Sequence, residues 1–123
     1  MTRMFIVAAL AAFSSVAAAQ SVRVPVTLTE WKVDTKSDTV PSGSVTFRVT
    51  NDGSMLHAFH VEGAGVDKET RQIAKGESAS LVLNLKPGTY ELYCPMSDLS
   101  HKKAGMTRKL TVVAAAAAAP KKP

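Results

Sequence analysis

The sequence has one cysteine, Cys94, among 123 residues, so no disulfide can close within the chain. It also lacks the run of roughly 20 apolar residues that a membrane-spanning helix requires. The longest apolar stretch, Met4 to Phe13 (MFIVAALAAF), stops well short of that. No segment sustains a helical period of apolar residues, which excludes a bundle of amphipathic helices. There is no internal repeat and no second domain. The net charge of +5, with acidic residues interspersed among basic ones, is too small a surplus to mark a nucleic-acid-binding surface.

What the chain does have begins with an export signal. Arg3 gives a positive start, Met4 to Phe13 an apolar segment, and Ala17-Ala18-Ala19 the small residues that a signal peptidase needs. The expected organisation is a signal peptide over 1–19, one domain over 20–113 and a flexible tail over 114–123. In that tail an alanine run ends in Pro-Lys-Lys-Pro. The expected location is periplasmic or secreted, as a monomer with no stable membrane insertion after processing. A lone thiol in an oxidising compartment is a liability. Cys94 therefore calls for burial, pairing with another chain, or metal ligation.

The body of the chain alternates apolar and polar residues with a period of two, the mark of half-buried strands. Val22, Val24, Val26 and Leu28 share one face, as do Val45, Phe47 and Val49 in a strand closed by Asn51-Asp52-Gly53. His57, Phe59 and Val61 mark a third strand, which sends His60 to the opposite, solvent side. Leu81, Leu83 and Leu85 mark a fourth, closed by Lys86-Pro87-Gly88, and Tyr90, Leu92 and Cys94 a fifth that ends at the cysteine. A last strand holds Leu110 to Val113, while Gly63 to Gly76 leaves room for a short helix or an extra strand. The pattern predicts an all-β sandwich or small barrel. Trp31 and the tyrosines read as packing residues.

The chemistry lies in His57, Cys94, His101 and Met106. A thiolate and two imidazoles suit copper, and a thioether at longer range suits Cu(I). Zinc would call for a fourth strong donor, and the sequence offers no second cysteine. A cysteine-histidine nucleophile would need a base held by an orienting group, which the sequence does not supply. The expectation is a binding protein and not an enzyme. Met96 is the second candidate for the thioether.

The segments Asn51 to Phe59 (NDGSMLHAF), Lys75 to Ser78, Leu85 to Tyr90 and Tyr90 to Pro95 (YELYCP) resemble the signature regions of small blue-copper cupredoxins. Ala104-Gly105-Met106 resembles the end of the family's ligand loop. The resemblance covers about 40–113 and implies a Greek-key β-sandwich of about seven to eight strands. It further implies one copper ion cycling between Cu(II) and Cu(I) for electron transfer. The alternative is a copper carrier or buffer that delivers the metal.

Two departures stand out. Pro95 to Ser100 makes six residues between Cys94 and His101, longer than the family's usual spacing. Ala58 stands where relatives often have an Asn that ties the two ligand loops together. The resemblance also implies that His101 lies nearest the surface, so that Lys102 and Lys103 would form a positive rim for an acidic redox partner.

Overall fold

The computed structural model describes residues 21–115. The signal peptide expected over 1–19 and most of the expected tail lie outside these residues. Among the described residues nine strands form: β1 (Val22–Thr29), β2 (Lys32–Thr35), β3 (Thr39–Pro41), β4 (Gly43–Asn51), β5 (His60–Gly63), β6 (Val66–Glu69), β7 (Ser78–Leu85), β8 (Gly88–Tyr93) and β9 (Thr107–Val113). One short helix, α1 (Ser100–Lys103), precedes β9. One sheet has the order β2-β1-β4-β7 and the other β3-β9-β8-β5-β6. β1 pairs in parallel with β4, and β3 with β9; the other pairings are antiparallel. Among the described residues, no helix is long and apolar enough to cross a membrane.

The period-two pattern decides what lies between the sheets. Val24, Val26 and Leu28 of β1 and Val45, Phe47 and Val49 of β4 are buried. They pack with Val61, Tyr90, Leu92, Leu110 and Val112 of the other sheet in one core. Phe47 and Phe59 bring their rings to 5.2 Å. Burying each large aliphatic side chain contributes about 1.5–3 kcal/mol, so the alternation itself holds the sheets together. Tyr90 keeps its hydroxyl satisfied by donating to the Lys86 carbonyl at 2.7 Å.

The count of nine exceeds the seven to eight expected. β2, β3 and β6 span only 3–4 residues, too few to display a period. β6 and Ile73 fill the stretch that the sequence left open between Gly63 and Gly76. The third strand also starts later than expected. His57 and Phe59 precede β5, and Ala58 between them is buried as well, which a simple pleat does not allow. An isolated bridge holds His57 instead: its N–H donates to the Ile73 carbonyl at 3.2 Å, and the Ile73 N–H returns to its carbonyl at 2.7 Å. β8 closes at Tyr93, one residue before Cys94.

Candidate metal centre

Three connections converge on the site: the β1–β2 turn, the β4–β5 loop and the β8–β9 loop with α1. The β4–β5 loop is fastened by Asn51, the last residue of β4, which is fully buried. Its Nδ2 donates to the Met55 and Ile73 carbonyls at 2.8 and 2.7 Å, and its Oδ1 accepts the Gly53 N–H at 2.8 Å. That one side chain staples the loop to β4 and to the segment bridging His57.

The β8–β9 loop is closed by the Cys94 N–H on the Met106 carbonyl and the Met106 N–H on the His101 carbonyl, both at 3.1 Å. Ser97, Asp98 and Leu99 are left-handed, with φ of 56°, 52° and 66°. α1 then reverses the chain into a right-handed turn. The Leu99 N–H reaches the Pro95 carbonyl at 3.3 Å and the Ser100 N–H the Ser97 carbonyl at 3.0 Å. Left-handed backbone is costly for residues with a Cβ, and these bonds hold it. The longer spacing is thus taken up in a compact double turn that leaves His101 next to the cysteine.

The donors meet there. His57 Nδ1 lies 3.8 Å and His101 Nδ1 3.6 Å from Cys94 Sγ. The three donor atoms all fall within 4.8 Å of one another. His57, Cys94 and Met106 are fully buried and His101 is 3% exposed. The sulfur accepts the Ala58 N–H at 3.5 Å. This backbone bond links the two ligand loops at the position where the family's Asn is missing. Burial pushes the Cys94 thiol above its ordinary range, opposed by the Ala58 and Met96 amides. Burial, and then the neighbouring His57, push His101 down and keep its lone pair free.

Two residues of the β1–β2 turn complete the site, and sequence reasoning missed their roles. Glu30 Oε1 accepts the Ser54 and Met55 amides at 2.8 and 3.0 Å and lies 3.1 Å from His57 Nε2. The Met55 amide first, then the His57 ring and the Ser54 amide, hold the Glu30 carboxyl down to about 2. Trp31 meets the His101 ring edge-on, with centroids 5.3 Å apart. A turn residue that far from the ligands in sequence carries no periodic or motif signal.

The Gly53 next to this pair is there for space. A Cβ at this position would sit 2.9 Å from His57 Nε2 and inside contact distance of Glu30 Oε1. Gly53→Ala should therefore part Glu30 from His57 and cost about 1–3 kcal/mol, read as a lower urea midpoint. Unchanged stability would mean the loop relaxes freely.

Two expectations need correction. His60 is not turned to open solvent: its ring stacks on Tyr93 at 4.6 Å and pairs with Asp67. The β5 pleat does send it away from the core, but the neighbouring side chains cover it. Of the four expected ligands His101 alone keeps any exposure, 3%, with Trp31 edge-on against its ring. Lys102 is not a free rim charge. Its Nζ lies 2.6 Å from Glu91 Oε1 and 4.1 Å above the Tyr93 ring, while Lys103 is exposed.

A two-sheet sandwich that buries a cysteine and two histidines at one end defines a single-ion metalloprotein of the soft-donor class. The model of the cupredoxin-like domain matches residues 2–107, and the chain belongs to that family. Solved structures share the fold. A dithionite-reduced auracyanin from Roseiflexus castenholzii has a TM-score of 0.62 at 20% identity, over 76% of this chain and 96% of its own. Auracyanin B gives 0.59 at 20% identity, over 77% and 89%. A heme-copper terminal oxidase gives 0.56 at 21% identity, over 75% and 65%. No curated protein sequence matches the chain. The family's cofactor fits the donors present: a thiolate and two imidazole nitrogens, convergent and buried, suit one copper ion.

Proposed function

We propose that the chain is an exported electron carrier in which His57, Cys94, His101 and Met106 hold one copper ion. The observation that carries this reading is the convergence of Cys94 Sγ with the two Nδ1 atoms inside a buried pocket. Copper bound there supplies a one-electron Cu(II)/Cu(I) couple. The protein's part is to keep the donors still. His57 is held by the Ile73 bridge and Glu30, Cys94 by its bond to Met106, and His101 by α1 and Trp31. Donors fixed on strand ends and tied loops reorganise little when the electron moves, and burial excludes water. The Ala58 and Met96 amides withdraw charge from the sulfur and so set the potential. On this reading the protein is not an enzyme.

The reading includes cleavage after Ala19, a periplasmic or secreted monomer, and a single domain followed by a flexible tail. A redox partner docks at the end bearing Trp31, His101 and Lys103, and the exposed Lys103 favours an acidic surface there. Copper delivery is the competing reading, and the burial of all four side chains speaks for retention.

Repeated reduction and reoxidation in the presence of a copper chelator separates the two. An electron carrier keeps its copper and colour through many cycles; a delivery protein surrenders the metal. The same preparation tests the thioether. Met106→Leu should retain copper and raise the potential by on the order of 59 mV, a tenfold change in the oxidised-to-reduced balance. Met96→Leu should do much less. The reverse order would make Met96 the thioether donor.

A further inference from the structure

The ring of His57 is gripped from both sides. Its Nδ1 faces Cys94 Sγ at 3.8 Å, and its Nε2 faces Glu30 Oε1 at 3.1 Å. Glu30 cannot drift, because the same oxygen accepts the Ser54 and Met55 amides, and β1 and β2 pair on either side of its turn. The adjacent Trp31 lies against His101, and its carbonyl is packed so closely on Gly105 that a Cβ there would lie 2.9 Å away. One turn therefore reaches both histidines.

We propose that the β1–β2 turn is a redox-tuning clamp, with Glu30 as a positioning residue that fixes the His57 ring and biases the centre toward the oxidised ion. The potential part of this inference rests on the electron-carrier reading; the ring-fixing part does not.

The physical grounds are direct. A carboxylate beside Nε2 requires that nitrogen to carry the hydrogen, which leaves the Nδ1 lone pair directed at the site. A hydrogen bond from a ligating imidazole to a carboxylate also makes the imidazole a stronger donor. The added negative charge favours the more highly charged Cu(II) over Cu(I), so it lowers the potential. The Glu30 side chain is 29% exposed, so water weakens this influence without removing it.

Two variants and two readouts test the clamp. In Glu30→Gln the amide oxygen still accepts the three N–H groups, but the charge is gone. In Glu30→Ala both are gone. The first readout is the ¹⁵N spectrum of the His57 ring in copper-free protein, which reports the tautomer whether or not copper binds. The second is the midpoint potential of the copper-loaded protein.

The native protein and Glu30→Gln should hold the single Nε2–H tautomer, whereas Glu30→Ala should populate both. Glu30→Gln should stay coloured and shift the oxidised-to-reduced balance about tenfold toward Cu(I), a rise of ~59 mV. A single tautomer in Glu30→Ala overturns the positioning role, and a native potential in Glu30→Gln overturns the charge role. A native protein that takes up no copper overturns the carrier reading instead, and the tautomer result then decides the clamp alone.

Discussion

Cys94→Ser leaves a folded, colourless protein. The intense thiolate-to-Cu(II) band goes, because an alcohol at neutral pH cannot replace a thiolate donor. Copper affinity falls by more than the roughly 10–100-fold that follows loss of an outer partner, since this residue touches the metal itself. The fold survives because serine fits the space and still accepts the Ala58 amide. Far-ultraviolet circular dichroism and a copper titration on the same sample check both halves. The native protein adds a pH signature. Burial holds the Cys94 thiol above its ordinary range, so near neutrality copper binding must displace its proton. Affinity should then weaken as pH falls, by about tenfold per unit from this proton alone. The serine variant has no such proton to lose. A serine variant that stayed intensely coloured would remove Cys94 from the site.

Asn51→Ala is the largest expected loss of stability. The side chain is fully buried, and truncating it removes its three hydrogen bonds, to the Met55 and Ile73 carbonyls and from the Gly53 N–H. At about 1 kcal/mol or more for each lost bond, the cost is about 3 kcal/mol. That is a large share of the 5–15 kcal/mol typical of a small domain. Asn51→Asp should be no better, because a carboxylate cannot donate to two carbonyls. Urea unfolding measures the loss. The same variant should broaden the copper spectrum, since the loop carrying His57 is no longer stapled. A loss below about 1 kcal/mol would show that the loop is held by other means.

The larger strands were legible because burial on one face writes itself into alternate residues: Val24, Val26 and Leu28, or Val45, Phe47 and Val49. The turns were legible in Asn51-Asp52-Gly53 and Lys86-Pro87-Gly88, which fall where β4 and β7 end. The four donor residues could be picked out because their three types are rare in this chain. The partners of those donors could not. Glu30 and Trp31 act through a tight turn, a contact fixed by the β1–β2 and β1–β4 pairings and not by any local pattern. Asn51 looked like a turn residue and is also the staple. The six-residue spacing before His101 shows in the sequence only as a longer loop, and its path does not. Three left-handed residues and one turn of helix accommodate it, and no residue in that stretch is a glycine that would have advertised the bend.

Purified full-length chain titrated with copper, and followed by visible absorption and paramagnetic resonance, tests the central claim most directly. One equivalent should saturate an intense visible band and a single paramagnetic signal. Both should vanish on one-electron reduction and return on reoxidation. Binding without the intense band, or saturation at any other stoichiometry, would contradict a single copper centre built on Cys94.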